Sequence, residues 1–592
     1  MTFPSVNPPG DTYLLWHRFR MPTEHGSKDA VAVPTKVADK LLAAYTFMLE
    51  HIVLLIWGIT VVLLLLICIK IYERAHDNTA FHSEIYNKRS SPFNTLKAAV
   101  RYSIRTKSPS RRWLIFARAA LWITLALAFV VVKYTVPIIF APYIKINSAA
   151  PVNPAAIFVP WVDLNSTEPD SLLKAFTISV PWAIRAAGSI GEVNNGASKA
   201  HPVSVDDYEL LRVRSDGQKV IRLGYKYKVT GLDFGLQFHP DLTLDVEGSC
   251  TTDYGWIDDS RTFSNSSATF VEHYVPFNDS LNWPHGQSVS LLDGGPPTAY
   301  FFAQDPEYTN TSWAAIISST NRTSRWPGTD PWYLTEETTD PELFRVKAGR
   351  PALSCWQNDV WSYLGHTSSV EALDSAALPG LNLSPGLQSI FATNLGVPMI
   401  FNIGSRLRGT SLKSSLTALS GDFNATSSSI HDDLERLVWA SYIATVNVLT
   451  ETTLFVNDNE TPNKLEVDGH LNDGAGEFVI FTSKATALSV RSLIIIPTLT
   501  LGLWVIFLVL MFFPGKAVKS RFKREKEEND EAPQNADGKI EEKPHADTPG
   551  NENNGRAEKR DDDLADEMDE TVGTIVDQVA QILHFDQDGA DK

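Results

Sequence analysis

Residues 52–69 read IVLLIWGITVVLLLLICI, eighteen consecutive positions without a charge. At about 1.5 Å of helix rise per residue this run approaches the ~30 Å hydrocarbon layer of a bilayer, and the apolar flank from Leu41 extends it. Two similar runs follow, ALWITLALAFVVVKYTVPIIFAPYI at 120–144 and LIIIPTLTLGLWVIFLVLMFF at 493–513. These runs predict transmembrane helices at 46–70, 119–141 and 493–513. Pro497 and Gly502 in the last are tolerated by membrane helices. Glu50 and His51 interrupt the first flank and read as markers of the membrane interface; the alternative is a proton-handling pair within it. Lys133, and Arg118 just before the second run, read as side chains that snorkel to an interface.

The chain average hides this pattern. With 43% hydrophobic and 20% charged residues and a mean hydropathy of -0.11, the composition matches an ordinary soluble protein. A length of 592 residues allows two to four domains. The net charge of -17 argues against nucleic acid as a partner, since phosphates call for a basic face.

Orientation follows from the basic segments. Residues 1–40 are polar, and the first run exceeds the h-region of a cleavable signal, so it reads as an uncleaved signal anchor. The loop 71–118 is dense in Lys and Arg, as is KAVKSRFKREK after the third run. Both are expected in the cytosol. That leaves 1–45 as a polar tail and 145–490 as a large domain on the other side. Eight Asn-x-Ser/Thr triplets agree, at Asn165, Asn265, Asn278, Asn310, Asn321, Asn382, Asn424 and Asn459. All lie between the second and third runs, where they predict N-glycans on a lumenal or extracellular region. The membrane would be the plasma membrane or a secretory-pathway endomembrane.

Within 145–490, VIRLGYKYKVT (220–230) and LTLDVEG (242–248) alternate as strands, and TAYFFAQ and SWAAIISST are further strand candidates. Later, Ile430, Leu434, Leu437, Val438, Tyr442, Val446 and Leu449 recur at helical spacing behind a Ser- and Asp-rich start. SPGLQSIFATNLGVPMIF and TSLKSSLTALSGDF predict shorter helices, and GEFVIFTS a returning strand. The fold class is therefore a multi-span α-helical membrane protein, three transmembrane helices carrying a large α+β domain and a disordered acidic cytosolic tail. Cys68 lies in the first run. If the domain is lumenal, Cys250 and Cys355 can form its one intramolecular disulfide; the other reading is two buried thiols. The aromatics of RPALSCWQNDVWSYLGH and NRTSRWPGTDPWYLT read as core anchors, with a sugar or peptide platform as the alternative.

In the tail, the basic cluster at 516–526 can meet anionic lipid. Residues 514–570 are otherwise too acidic and too poor in apolar side chains to fold, and 571–585 regain the spacing of a short amphipathic helix.

No catalytic residue, metal site or cofactor is predicted. The histidines show neither H-x-H nor H-E-x-x-H spacing, and no G-x-S-x-G elbow occurs. SLLK (171–174) lacks the companions of an S-x-x-K motif, and NDNETPNKLE lacks the glycine of a calcium loop. Asp245, Glu247, Asp253, Asp258 and Asp259 would support a hydrolase only by converging in a cleft.

The stretches GLQFHPDLTLDVEGSCTTDYGW, SWAAIISSTNRTS, PALSCWQNDVWSYLGH and ALPGLNLSPGLQSIFATNLGVPMI resemble a group of multi-span membrane glycoproteins of filamentous fungi. The resemblance implies a fungal host and membrane residence, and brings no catalytic residues with it. The expected function is a membrane glycoprotein whose outside domain binds or organises a protein or glycan ligand. The alternatives are a membrane-anchored hydrolase acting on polysaccharide or ester, and an accessory subunit of a transport complex.

Overall fold

A computed structural model describes residues 8–71, 79–105, 112–160, 169–191, 203–254, 256, 262–265, 268–271, 289–293, 298–303, 311–317, 319–320, 322–347, 349–416, 423–455, 461–467 and 469–512. The first elements are β1 (Arg18–Met21), β2 (Lys28–Pro34), α1 (Thr35–Ile71), α2 (Thr79–Asn87), α3 (Pro92–Arg105) and α4 (Arg112–Ile144). Next come β3 (Lys145–Asn147), β4 (Ala149–Pro151), α5 (Pro169–Gly188), β5 (Val203–Val205), β6 (Glu209–Val213), β7 (Lys219–Thr230) and β8 (Thr243–Asp253). Then β9 (Ala299–Ala303), β10 (Thr311–Ile317), β11 (Ala352–Tyr363), α6 (Pro385–Leu395), α7 (Met399–Leu407) and α8 (Ile430–Val446) follow. The last are β12 (Val479–Phe481), β13 (Ala485–Ser489) and α9 (Val490–Phe512).

Among the described residues, three helices are long and apolar enough to cross a membrane, over Thr35–Cys68, Ala119–Ile144 and Val490–Phe512. They are parts of α1, α4 and α9. All three join one sheet of order β1-β2-β13-β3 without an intervening loop. β2 runs into α1 at Pro34–Thr35, α4 into β3 at Ile144–Lys145, and β13 into α9 at Ser489–Val490. The reading of 1–45 as a polar tail is thereby corrected. Residues 18–34 form a hairpin whose second strand pairs with β13, Ala30 opposite Ser489 and Pro34 opposite Ala485. The alternation that marks β2, with Ala30, Ala32 and Val33 buried, is short and rich in alanine, so polarity masked it.

The loop 71–118 also carries structure. α2 and α3 place Phe81, Ile85, Tyr86 and Ala99 against Trp57, Val61, Val62 and Leu65 of α1 and Trp122 and Ala126 of α4.

The α+β domain is built on a larger sheet of order β9-β10-β11-β8-β7-β5. In β7, Ile221, Leu223, Tyr225, Tyr227 and Val229 point inward, alternating with exposed positions as a half-buried strand should. Antiparallel register aligns Leu223, Cys250, Cys355 and Trp313 across four strands. Cys250 and Cys355 thus face each other on neighbouring strands and form a disulfide. Gly248 lies opposite Tyr225, where any Cβ would run into the tyrosine ring.

α8 crosses the inner face of this sheet, against β5 and β7 on one side and α5 and α7 on the other. Its predicted apolar face is buried, and so are Trp439 through Thr445, because the helix is enclosed by layers on both sides. The single helix expected from SPGLQSIFATNLGVPMIF is two, α6 and α7. Pro398 lacks an N–H and disfavours helical geometry at Val397, so the break falls there. The helix expected from TSLKSSLTALSGDF is a pair of 3-10 turns at Arg408–Ser411 and Lys413–Ser415, with 417–422 outside the described residues. The tail 514–570 and the segment 571–585 also lie outside them.

Candidate functional site

Polar groups buried among apolar ones are costly unless paired, so they mark where the domain is doing more than packing. One such cluster gathers at the start of α8. Ser429 caps the helix, accepting from the Asp432 N–H at 3.1 Å. Asp330, one hundred residues earlier, accepts from the Ile430 N–H at 3.0 Å and the Trp332 N–H at 2.9 Å. One turn into the helix, fully buried Asp433 accepts from the Tyr333 hydroxyl and from the Ser414 N–H at 2.8 Å. The Ser414 hydroxyl, 2.6 Å from the Tyr333 oxygen, donates to it, since the one phenolic proton is held by Asp433. Burial pushes the Asp433 carboxyl up to about 7 and that of Asp330 up to about 6. It also lowers Arg322 and Arg350 to about 10. Arg322 stacks on Phe423 at 4.0 Å. Backbone amides and a phenol occupy these carboxylates, so the cluster's chemistry is to tie the 323–346 segment onto α8.

A second group lies inside the sheet. Trp313 Nε1 donates to Tyr225 Oη at 3.0 Å, Tyr225 donates to Gln357 Oε1 at 2.7 Å, and Gln357 Nε2 donates to Asp359 at 2.8 Å. Burial raises Asp359 to about 7.

The third group lines a groove between α5 and α8. Arg185 holds Glu451 through Nε, at 3.1 Å to both carboxylate oxygens, and through Nη2. Trp182, Ala186, Ile443 and Leu454 complete the walls. The space open to the centre of a water is about 20 Å³, room for one or two waters at roughly 10–15 Å³ each. A space of this size suits a water, and Nε1 of Trp182, in its wall, has no protein acceptor.

His431, Asp432 and Glu435 bring ligand-type atoms within 4.8 Å of one another on the first turns of α8. The Lys413 ammonium already sits on Asp432 at 2.6 Å. Burial would raise the Asp432 carboxyl, but hydrogen bonds from Lys413 and Ser429 outweigh it and lower the group.

The acids named for a hydrolase do not meet in a cleft among the described residues. Asp245 and Glu247 lie on the open face of β8, Asp245 paired with Lys228 at 3.2 Å. Asp253 ends the strand, while Asp258 and Asp259 lie outside the described residues. On the same open face, Ser249 is opposite Trp356 and Glu247 opposite Asn358. The tryptophan-rich stretches divide: Trp332 and Trp361 are core, 1% and 0% exposed, whereas Trp326 and Trp356 are 47% and 49% exposed. Of the glycan acceptors, Asn265 is in a strand, Asn382 is exposed and Asn424 half-buried. Asn165, Asn278, Asn310, Asn321 and Asn459 lie outside the described residues. The polar network on Asp433 escaped the sequence reading because its members come from three distant segments; the acidic first turn of α8 was the only local signal.

These elements define the class: a protein with three potential membrane helices and a sheet-rich α+β domain bearing one disulfide. Residues 180–480, just over half of the 592, match the family described as domain of unknown function DUF8406, and the chain belongs to that family. No curated protein and no solved structure matches it.

Proposed function

We propose that the protein is a three-span membrane glycoprotein whose α+β domain stands outside the cytosol and binds or organises a protein or glycan ligand. The observation that carries this reading is the direct passage of all three candidate spans into strands of one sheet. A domain tethered by loops swivels freely; one whose strands continue as helices keeps a fixed attitude to the bilayer. The open face of β7, β8 and β11 offers the binding surface, with Trp356 among Lys226, Glu247, Ser249 and Asn358. Half-exposed tryptophan among hydrogen-bonding side chains suits stacking on a sugar ring or a peptide. The acids on this flat face support binding over hydrolysis. The bilayer, with anionic lipid at the basic cluster after α9, is the other partner, in the plasma membrane or a secretory endomembrane of a fungal cell.

The test is chemical crosslinking of the full chain in its native membrane, comparing the parent with Trp356→Ala. The reading expects partners or glycans lost in the variant while the protein remains folded and membrane-bound. Turnover of a polysaccharide or ester by the parent, abolished by Asp245→Asn or Glu247→Gln, would overturn it.

A further inference from the structure

Four polar side chains lie inside the candidate spans and meet across them. Glu50 on α1 and Lys133 on α4 form an ion pair at 3.7 Å, their side chains 35% and 27% exposed. On the next residue of α1, His51 Nε2 lies 2.9 Å from Trp504 Nε1 on α9, with the two rings 5.7 Å apart. At about 1.5 Å per residue, Glu50 is about 23 Å from the sheet end of α1, Lys133 about 17 Å from that of α4, and Trp504 about 21 Å from that of α9. α9 is itself only about 35 Å long on the same scale. The group therefore sits within the helix bundle, with Lys133 paired to Glu50, and α1 begins at Thr35, more than three turns earlier than its apolar run suggests.

The geometry fixes a protonation state. An indole N–H only donates, so His51 Nε2 is the acceptor and the neutral ring carries its proton on Nδ1. We propose that His51 forms a proton-binding site within the membrane bundle, whose occupancy sets how tightly α1 is held to α9. A proton arriving on His51 Nε2 consumes the lone pair that accepted from Trp504. Two N–H groups then face each other and the contact opens, while the Glu50–Lys133 ion pair keeps α1 on α4.

Little else there titrates. Between Lys40 and Lys70, α1 carries Tyr45, Glu50, His51 and Cys68; from Ala119 to Ile144, α4 carries Lys133, Tyr134 and Tyr143; α9 carries Arg491 at its start. Tyr45 donates to the Leu493 carbonyl at 2.9 Å, and the Lys133 ammonium lies 5.3 Å from the Tyr134 ring centre. His51 thus sits at the contact of α1 with α9, and the Glu50–Lys133 pair at its contact with α4.

This site rests on the membrane reading above, and the experiment separates the two. Spin labels at Leu63→Cys and Val509→Cys, in a Cys68→Ser background of the full chain in lipid nanodiscs, report the α1–α9 distance. A second pair, Leu63→Cys with Leu127→Cys, reports α1–α4. Measurements at about pH 7.5 and about pH 5 bracket histidine titration. The α1–α9 distance should lengthen in acid more than the α1–α4 distance. His51→Gln, which still accepts from Trp504 but does not titrate, should abolish the α1–α9 change. Trp504→Phe should show the acid α1–α9 distance at both pH values. An α1–α9 distance that ignores pH, or an unchanged acid response in His51→Gln, overturns the site. Collision with oxygen against a water-soluble nickel chelate at the Leu63 label reads the membrane separately: an aqueous label there refutes the span, and a lipid-exposed label with pH-blind distances refutes the site alone.

Discussion

Asp433 offers the sharpest test of how the domain is held together. Its carboxylate is fully buried, and replacing it with alanine removes the acceptor of both the Ser414 N–H and the Tyr333 hydroxyl. A hydrogen bond to a charged group is worth about 1.5–3 kcal/mol, so losing the two should destabilise Asp433→Ala by roughly 3–5 kcal/mol. Asp433→Asn is different. Its Oδ1 still accepts from Ser414, and its amide can donate to the tyrosine oxygen, copying the protonated acid. The asparagine should cost about 1 kcal/mol or less near neutral pH. It should also flatten part of the pH response. Burial raises the folded group from 3.8 to about 7, so the stability it lends is full below about 4 and disappears as pH climbs through 7. About three pKa units correspond to a contribution on the order of 4 kcal/mol between those limits. Asp330 and Asp359, raised to about 6 and about 7, act in the same direction. Urea unfolding of the full chain in detergent, followed by near-UV circular dichroism at about pH 5 and about pH 8, reads the parent and both variants. If asparagine costs as much as alanine, or the parent gains stability between those pH values while the asparagine variant does too, the reasoning is wrong.

Arg185→Ala should cost about 3–5 kcal/mol because it strands buried Glu451, whereas Arg185→Met with Glu451→Leu should come close to the parent in the same unfolding assay. Replacing Cys250 and Cys355 by serine frees a loop of sequence separation 105, a loss of up to about 4–5 kcal/mol by chain entropy; mobility on non-reducing gels and unfolding midpoint report it. Glycosidase should lower the apparent mass of the cell-derived protein, Asn310→Gln with Asn321→Gln should remove part of that shift, and protease added to intact microsomes should clip the acidic tail while sparing 145–490. An unshifted band, or a digested domain, defeats the topology.

Long-range partners separate what could be read from the residues from what could not. The long apolar helices were legible because runs such as the eighteen uncharged positions of 52–69 admit few other solutions, and β7 because Leu223, Tyr225, Tyr227 and Val229 alternate without interruption. The Cys250–Cys355 pairing was one of two open readings, decided by antiparallel register. The hairpin at 18–34 was not legible, since its partner β13 lies more than 450 residues away. Likewise Lys133 gives no local sign of Glu50, and Asp330 none of Ile430. Charges inside an apolar run read as boundaries until a partner from another helix is seen.

The sheet beside the candidate spans also imposes an order on synthesis. β2 leaves the ribosome early, yet the strand it pairs with, β13, ends at Ser489, and the Thr35 N–H reaches the Lys484 carbonyl at 3.0 Å. At roughly 5–20 residues per second the hairpin waits on the order of 20–90 seconds for its mate. During that interval the edge of β2 is unpaired and open to chaperones or to wrong strands. Closure of the sheet therefore reports that the chain has been made through to the start of α9. A chain truncated before residue 485 should leave 18–34 exposed to protease, marking it as incomplete to whatever inspects nascent proteins.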